Sequence, residues 1–436
     1  MKTRPRKKEI GVVSLGCAKN LVDSERLIRQ LEGGNVRVHF DPQPGFPLDT
    51  VIINTCGFIG DAKKESIDTI LEFSEAKKEG KVGRLLVMGC LSQRYKQQLT
   101  AEIPEVDGFY GVHELASVVQ AAGRDYRKEL LGERRLTTPR HYAYLKIAEG
   151  CDRKCSFCAI PHIRGKHVST PESRLLREAE TLAESGVKEL LVISQDTTYY
   201  GLDRYGKRRL ARLLKKLAAI DGIEWIRLHY TYPHGFPTDL LQVMNEEEKI
   251  CRYIDIPLQH ISDRILRSMK RGMTATGTRR LIEMIRDRVP GVAIRTTFIT
   301  GYPGETEAEF GELKAFLREY AFERAGFFTY SEEEGTPASA LKDNVPNRLK
   351  QSRLQELTKL QESISLEYNL RRIGTRISVL IDREEAECYA GRTELDSPEV
   401  DNEVLIPKGH NKLHTGRFYT VRVTSAEPFD LIAEEC

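Results

Sequence analysis

The first third of the chain alternates short apolar runs with stretches whose apolar residues recur at helical spacing. The runs IGVVSLGC (10–17), TVIINTC (50–56) and RLLVMGC (84–90) are rich in β-branched residues and have the length of strands. The stretch DAKKESIDTILEFSEAKKEG (61–80) has helical spacing and closes on a glycine. This alternation predicts a parallel sheet with right-handed crossovers.

The middle of the chain repeats the alternation with six candidate strands. They are YAYLKIAEG (142–150), ELLVIS (189–194), WIRLHY (225–230), YIDIPL (253–258), AIRTTFI (293–299) and AGFFTYS (325–331). Six such units predict an open or partial (β/α) barrel, whose active site would lie at the carboxyl ends of its strands. A helix over 348–372, ended by Gly374, is expected to pack its apolar stripe against this barrel.

The last part of the chain, 375–436, has no helical pattern and contains five short candidate strands. They predict a small β-barrel similar in style to oligonucleotide-binding folds. The whole pattern therefore predicts an α/β protein of three domains: a parallel-sheet domain over 1–134, a partial (β/α) barrel with a linker helix over 135–372, and a small β-barrel over 373–436.

Composition is that of a soluble globular protein, with 40% apolar and 30% charged residues in a chain of 436. No apolar run reaches the ~18 residues that a membrane span needs. The basic start MKTRPRKKEIGVVSLGC does not have the pattern of a secretory signal. We therefore expect a cytoplasmic protein with no membrane partner.

Charge is unevenly distributed along the chain. Residues 373–436 contain 7 Lys/Arg and 13 Asp/Glu, a net charge of −6, whereas residues 1–372 contain 60 and 51, a net charge of +9. An RNA-binding domain would supply cations for phosphates. The acidic stretches 382–387 and 394–403 therefore predict a terminal barrel that docks a basic protein surface, the alternative being a merely solvated surface.

Each of the three predicted strands in the first domain ends in a cysteine: Cys17, Cys56 and Cys90, here called the strand-end triad. Parallel strands bring their carboxyl ends to one edge of a sheet, where ligand sites form. We therefore expect the three thiols to meet, and the glycine beside each would let the backbone approach a bulky ligand. The alternative is a buried structural cysteine at each strand end.

A second set, Cys151, Cys155 and Cys158, has the spacing C-x3-C-x2-C and is called the loop triad. With His162 as a fourth ligand it would form a Cys3His zinc site. Without one it would hold an iron–sulfur cluster with one open iron. Two triads that both lack a clear fourth ligand favour two clusters.

The loop triad after the first barrel strand resembles the radical S-adenosylmethionine superfamily, in which the open iron binds the cofactor's amino and carboxylate groups. That resemblance implies a [4Fe-4S] cluster whose reduction cleaves S-adenosylmethionine to a 5′-deoxyadenosyl radical. It places the aromatic Phe157 near the adenine and makes His162 a loop residue rather than a ligand.

Over essentially all its length the chain resembles the methylthiotransferases, in particular the subgroup that modifies ribosomal protein S-twelve. The long matches are SLGCAKNLVDSE (14–25), HYAYLKIAEGCDRKCSFCAIPHIRGK (141–166), SQDTTYYG (194–201) and GYPGETEAEF (301–310). The tRNA-modifying relatives are closer to G-C-Q-M-N, whereas Ala18 and Lys19 follow the first cysteine here. One departure is that Val168 and Thr170 stand where the family often has arginines, with Arg174 as a substitute.

This resemblance implies two [4Fe-4S] clusters, a TRAM-like terminal barrel, and methylthiolation of the β-carbon of an aspartate in ribosomal protein S-twelve. Gln195, Asp196 and Arg295 would contact the cofactor, the alternative for each being a polar strand residue that satisfies neighbouring loops. No catalytic side chain is assigned. The partners would be the ribosomal protein and an electron donor such as flavodoxin or ferredoxin, with tRNA unlikely as a partner. The alternatives are a tRNA 2-methylthioadenosine-forming enzyme and a non-catalytic zinc protein that binds nucleic acid.

Overall fold

The computed structural model describes residues 7–33, 35–130, 132–409 and 411–436, so the basic residues 1–6 lie outside it. The first domain is a five-stranded parallel sheet in the order β2-β1-β3-β4-β5. Its elements are β1 (Lys8–Ser14), α1 (Ala18–Leu31), β2 (Val36–Phe40), β3 (Leu48–Thr55), α2 (Gly60–Lys78), β4 (Val82–Gly89), α3 (Cys90–Glu102), β5 (Gly108–Tyr110) and α4 (Leu115–Ala121). The predicted parallel-sheet domain is confirmed.

The strand order of this sheet reverses between β1 and β3. From β1 the chain winds first to β2 on one side and then returns to β3 on the other. In doubly wound sheets the loops diverge at such a point and leave a crevice outside the carboxyl ends of the strands. The cysteines that follow β1 and β3 therefore stand at the place where this fold forms a ligand site.

The middle domain is an open six-stranded parallel sheet in the order β13-β12-β11-β10-β9-β6, which confirms the predicted partial barrel. Its strands are β6 (Tyr142–Lys146), β9 (Glu189–Ile193), β10 (Trp225–Leu228), β11 (Ile250–Asp255), β12 (Ala293–Thr300) and β13 (Arg324–Thr329), with β7 (Ala148–Glu149) and β8 (Val168–Ser169) as a small separate pair. Its helices are α5 (Ile160–Arg164), α6 (Glu172–Glu184), α7 (Leu202–Tyr205), α8 (Leu210–Ala218), α9 (Asp239–Glu246), α10 (Asp263–Ser268), α11 (Ala275–Arg288) and α12 (Glu307–Tyr320). The largest apolar core lies between these strands and helices.

The long helix α13 (Asn347–Leu370) connects the middle domain to a closed five-stranded barrel. Leu357 and Ile364 of α13 are buried in the core of the middle domain, whereas Leu349 of the predicted stripe is exposed. The barrel strands are β14 (Arg376–Glu384), β15 (Cys388–Arg392), β16 (Glu403–Pro407), β17 (Phe418–Ala426) and β18 (Asp430–Glu435). Their number confirms the five short strands predicted for residues 375–436. In the described residues no helix is long and apolar enough to span a membrane.

Part of the acidic stretch 394–403 is not available as the docking surface that its charge predicts. Asp396 is 1% exposed and pairs with Arg324, while Asp401 pairs with Arg295 of β12 at 3.2 Å. Two of the five carboxylates in this stretch are therefore paired with arginines of the middle domain. Burial against a partner inside the same chain is what a charge count along the sequence cannot reveal.

Candidate functional site

The strand-end triad lies at the carboxyl edge of the first sheet, as its positions predict. Cys17 is the N-cap of α1, Cys56 directly follows β3, and Cys90 is the first residue of α3 after β4. Ser66 fixes the backbone of Cys56 on both sides, because its hydroxyl accepts from the Cys56 N–H at 3.0 Å and donates to its carbonyl at 2.9 Å. Three adjacent parallel strands thus deliver one thiol each to a common place.

The glycines beside these cysteines allow close packing of the chain against itself. A β-carbon on Gly16, whose φ is +85°, would lie 2.6 Å from the Cys56 β-carbon, and one on Gly57 would lie 2.7 Å from the Leu91 backbone. One on Gly89 would lie 2.5 Å from the side chain of Asn54. The contacts that require glycine here are contacts within the protein, and the expectation that these glycines also let the backbone approach a bulky ligand stays a prediction.

Electrostatics distinguish the three thiols. Burial acts to raise the pKa of Cys17, but Lys19, Arg164 and nearby backbone N–H groups outweigh it, so the pKa lies below its ordinary value. Burial raises the pKa of Cys90 to about 12 and also raises that of Cys56, and in both cases Arg164 opposes the rise. The thiolate of Cys17 also raises the pKa of Cys56 and of Cys90, and the thiolate of Cys56 raises the pKa of Cys90.

The loop triad follows β6 and β7 on the carboxyl side of the barrel. Burial raises the pKa of Cys151 and of Cys158 to about 12, and the thiolate of Cys155 adds to both shifts. The Cys155 Sγ accepts from Nη1 of Arg271 at 3.3 Å and lies 3.4 Å from the hydroxyl of Tyr232, which donates to the Arg271 carbonyl at 3.1 Å. In the described residues no three His, Cys, Asp or Glu side chains are drawn together around a single metal ion.

Among the described residues, buried polar atoms without a hydrogen-bond partner occur at the carboxyl ends of the strands of the middle domain. They are Ser194 Oγ and Gln195 Oε1 after β9, Gln259 Oε1 after β11, Thr300 Oγ1 at the end of β12, Tyr330 OH after β13, and Arg153 Nη2 and Arg271 Nε from neighbouring loops. Buried polar groups are nearly always paired. A set left unpaired at the end of the barrel where active sites form fits a polar ligand with several hydrogen-bonding groups.

The other predicted cofactor contacts are placed as follows. Phe157 packs on the apolar cluster that includes Tyr302 and Met269. Gln195 donates to Glu149 Oε1 at 3.0 Å and keeps its own amide oxygen unpaired. Its role as a cofactor contact and that of Phe157 stay predictions that these positions support.

Asp196 and Arg295 are already engaged by charged partners. Asp196 is 1% exposed and accepts from Arg153 Nε at 2.7 Å, which ties the loop triad to the end of β9. Arg295 pairs with Asp255 at 3.2 Å and with Asp401 of the terminal barrel. These ion pairs favour the alternative in which both residues organise the protein, and a direct cofactor contact stays a prediction.

His162 and Arg174 also had roles proposed from the sequence, His162 as a fourth ligand and Arg174 as a substitute for missing arginines. His162 lies on α5 and is exposed, whereas Ile163 and Arg164 of the same helix are buried. Arg174 lies on α6, where a β-carbon on Gly132 would be 3.1 Å from its Nε. Arg174 therefore packs against the connection between the domains and does not replace the arginines missing from the loop near 168–170.

Sequence reasoning missed the residues that join the two triads. Asn20 and Arg164 connect the strand-end triad to the helix after the loop triad, and Tyr232 and Arg271 contact Cys155. Asn20 and Arg164 stand inside the quoted matches 14–25 and 141–166 without being singled out. The one feature of the sequence that could have indicated them is that each lies a few residues from a cysteine. Closeness along the chain does not show in which direction a side chain points.

A separate contact joins the first domain to the loop after β13. Glu333 of this loop is 2% exposed and accepts from Arg94 Nη1 at 2.6 Å and from Lys63 at 3.0 Å. Arg94 also donates to the carbonyl of Gly57, one residue after Cys56. The loop therefore connects the middle domain to the segment that carries the strand-end triad.

Three family models match successive parts of the chain. The Uncharacterized protein family UPF0004 model matches residues 9–111, the Radical SAM superfamily model matches 145–317, and the TRAM domain model matches 373–435. Each match falls on one of the three structural units described above. The Radical SAM match contains the loop triad.

Relatives of similar length match the chain throughout. It is 53% identical to the ribosomal protein uS12 methylthiotransferase RimO of Flavobacterium johnsoniae, covering 100% of both chains. It is 54% identical to the protein of that name from Christiangramia forsetii, covering 100% of this chain and 96% of that one. A third, from Bacteroides thetaiotaomicron, is 53% identical and 98% of each chain is covered.

Solved structures share the fold at much lower identity. The radical S-adenosylmethionine methyltransferase TsrM of Kitasatospora setae, with cobalamin and a [4Fe-4S] cluster bound, has a TM-score of 0.57 at 15% identity, covering 76% of this chain and 77% of that chain. The cobalamin-dependent enzyme OxsB has a TM-score of 0.52 at 12% identity, covering 82% of this chain and 56% of that one. Both support the architecture of a parallel-sheet domain joined to a partial barrel.

Proposed function

The chain belongs to the ribosomal protein uS12 methylthiotransferase family, and we propose that it methylthiolates the β-carbon of an aspartate in ribosomal protein uS12. It is a radical S-adenosylmethionine enzyme with two [4Fe-4S] clusters and S-adenosylmethionine as cofactors. The full-length identity to relatives of that name carries this conclusion. The tRNA-modifying alternative is not favoured by these relatives, and the zinc-protein alternative is replaced by the radical enzyme.

We assign the strand-end triad to one cluster and the loop triad to the other. The support is the position of Cys17, Cys56 and Cys90 at the carboxyl edge of the first sheet, two of them beside its switch point, and the position of the loop triad at the carboxyl end of the middle-domain sheet. When bound, the clusters and S-adenosylmethionine supply the one-electron chemistry, the sulfur and the methyl group. Each triad has one deeply buried arginine beside it, 3% exposed for Arg164 and 4% for Arg271.

The side chains of the protein hold and orient the clusters and the cofactor and enclose them. Arg271 donates a hydrogen bond to Cys155 Sγ, the Tyr232 hydroxyl lies against the same sulfur, and Arg153 fixes the cysteine loop to Asp196. The unpaired amide oxygen of Gln195 and the hydroxyl of Thr300 are offered to the polar groups of a cofactor. Such preorganised polar groups orient a ligand without rearrangement when it binds.

Product analysis tests the function. Ribosomes from cells with the gene should contain uS12 whose mass is increased by one methylthio group in place of one hydrogen, and deletion of the gene should abolish that increase. Fragmentation should place the group on an aspartate. An unchanged uS12 together with a methylthiolated tRNA base would assign the chain to the tRNA-modifying alternative.

The cluster assignment has its own test in iron content. Changing Cys17, Cys56 and Cys90 to Ala should leave about half the iron and preserve cleavage of S-adenosylmethionine while stopping sulfur insertion. Changing Cys151, Cys155 and Cys158 to Ala should also leave about half the iron but abolish that cleavage. Full iron in either triple variant would contradict the assignment.

For partners, we propose docking of the basic ribosomal protein on the exposed stretch 382–387 rather than binding of tRNA, in the cytoplasm where ribosomes work. Glu384, Glu385 and Glu387 are exposed there, although Lys408 and Arg383 offset part of their charge. Reversing the three glutamates to Lys should weaken uS12 binding most at low salt. Unchanged binding, or tight tRNA binding by the native protein, would contradict this surface.

For the electron donor, we propose a small reductant of the flavodoxin or ferredoxin class, since each cluster takes up one electron at a time. Reduced flavodoxin or ferredoxin, tested separately, should support turnover in place of dithionite. Turnover with dithionite but with neither protein would reject this class.

A further inference from the structure

Asn20 touches the chain at each of the three strand-end thiols. It is fully buried, and its Nδ2 donates to the carbonyls of Leu15 at 2.9 Å and Thr55 at 3.0 Å. These carbonyls lie at the ends of β1 and β3, just before Cys17 and Cys56. Its Oδ1 lies 3.7 Å from Cys90 Sγ. One side chain therefore ties together the segments that carry the whole triad.

The acceptor side of Asn20 is held from the other domain. Arg164 of α5, in the segment that follows the loop triad, donates from Nη2 to Asn20 Oδ1 at 2.5 Å. Ile163 of the same helix packs in one buried cluster with Cys90. The segment after one cysteine set thus rests directly on the other set.

The opposite side of the Arg164 guanidinium faces carboxylates. Its Nη1 contacts Asp23 at 3.1 Å and Glu149 at 2.9 Å, and Lys146 pairs with the same two carboxylates. Arginine keeps its proton in proteins, so a positive charge stays fixed at this junction. Asp23 is the partner that belongs to the first domain, in the same helix as Asn20.

We propose that Arg164 is a positioning residue that joins the two cysteine centres, holding Asn20 against the strand-end triad and setting by its fixed charge the reduction potential of the cluster held there. This inference rests on the proposed assignment of a cluster to that triad. A cation beside a cluster favours the reduced, more negative state, and Asp23 moderates that effect.

The test uses the full chain with Cys151, Cys155 and Cys158 changed to Ala, so that the strand-end cluster is the one titrated. Iron is counted first, and the cluster is then titrated with dithionite while its reduced state is followed by electron paramagnetic resonance. Absence of iron in this parent would contradict the proposed cluster assignment and is distinct from the outcomes below.

In that parent, Arg164→Gln should shift the reduction equilibrium at least tenfold towards the oxidised state, ~59 mV for one electron. Asp23→Asn should shift it in the opposite direction, because it leaves the arginine less neutralised. Arg164→Lys keeps the charge and should stay within about threefold of the parent, a shift of under ~30 mV. A merely structural role would not give opposite signs for the two neutralising changes.

Arg177→Gln on the exposed face of α6 is the matched control and should leave the potential unchanged. If Arg164→Gln fails to hold iron, the Asp23→Asn result decides, since it removes the opposite charge from the same pair. Potentials that stay at the parent value in Asp23→Asn, or in an iron-loaded Arg164→Gln, would overturn the proposal.

Discussion

Glu189 lies at the centre of the contact between the middle domain and the terminal barrel. Its side chain is fully buried and accepts from Arg227 Nε at 2.7 Å and from Arg392 Nη2 at 2.7 Å. Arg392 belongs to β15 and keeps a second carboxylate partner, Asp382, whereas Arg227 has Glu189 as its one carboxylate partner among the described residues. Changing Glu189→Gln therefore leaves Arg227 as a buried charge with neutral acceptors.

The cost of this change follows from the contacts that remain. Removing one partner of a buried ion pair destabilises by about 3–5 kcal/mol. Arg227 still donates to the carbonyls of Glu394 at 2.7 Å and Thr393 at 3.3 Å, so we expect the lower limit, about 3 kcal/mol. With a urea dependence of about 2 kcal/mol per molar, the transition that separates the two domains should move down by about 1.5 M.

The single tryptophan of the chain reports on this contact. Trp225 stands at the start of β10, and its ring lies 4.8 Å from that of Phe418 at the start of β17. Its fluorescence in urea, recorded on the iron-free protein to avoid quenching, should change when the terminal barrel leaves the middle domain. A transition midpoint in Glu189→Gln equal to that of the native protein would refute the reasoning.

Two control variants distinguish the effect of the lost charge at Glu189 from an effect of side-chain packing. Glu184→Gln, on the exposed end of α6, should leave the midpoint unchanged. The double variant Glu189→Leu with Arg227→Met removes both charges together and should recover part of the lost stability, because an apolar pair replaces a buried ion pair at little cost. A double variant less stable than Glu189→Gln would show that the cost comes from packing.

The same contact predicts that the stability of the protein decreases at acid pH. Burial acts to raise the pKa of Glu189, but Arg392 and Arg227 outweigh it and hold the pKa below its ordinary value. A carboxylate with a lowered pKa in the folded state contributes stability above its unfolded pKa of about 4.3, and that contribution is lost as the pH falls through the folded value. The fluorescence midpoint should therefore be flat near neutrality, fall below about pH 4 in the native protein, and fall less in Glu189→Gln.

Three other changes test the site and its fastening. Gly16→Ala should lower the iron content by about half through the clash at the strand-end triad, whereas Gly311→Ala, which meets open space, should keep full iron. His162→Ala should keep both its iron and the spectral change induced by S-adenosylmethionine, and loss of the loop cluster would restore the Cys3His hypothesis. Arg94→Met leaves buried Glu333 with one cation and should cost about 3 kcal/mol, seen as faster proteolysis of the loop 331–336, while unchanged cleavage would contradict the fastening.

The strand-end triad was predictable because one local pattern and one rule suffice. A β-branched run specifies a strand, and parallel strands place their carboxyl ends at one edge, so three cysteines at three run ends come to the same edge of the sheet. The edge strand β2 (VRVHF) was missed because most of its residues are only partly buried and its apolar run is short. A central strand buried on both faces, such as β3, has a continuous apolar run that is easy to recognise.

The acidic stretch 394–403 shows where sequence reasoning fails for a physical reason. Its carboxylates were interpreted as a surface because no cation stands near them in the chain, yet Asp396 meets Arg324 and Asp401 meets Arg295 in space. A charge buried in a protein needs a partner, and that partner can come from any part of the chain. Summed charge therefore indicates how a segment attracts ligands only after the internal ion pairs have been removed from the sum.

Asn20 shows the same dependence on the fold within the site. In the sequence it is one polar residue in the first turn of a helix, where asparagine commonly satisfies backbone groups nearby. Its partners include Leu15, Thr55 and Arg164, and the last comes from another domain. No spacing rule connects these positions, because each contact depends on the fold that brings strand ends and α5 together. The chemistry of the cysteines indicates a site from the sequence alone, whereas the residues that position the cysteines can be identified only from the structure. Variants of Arg164 and Asp23 are therefore the sharper test of how the two centres are joined.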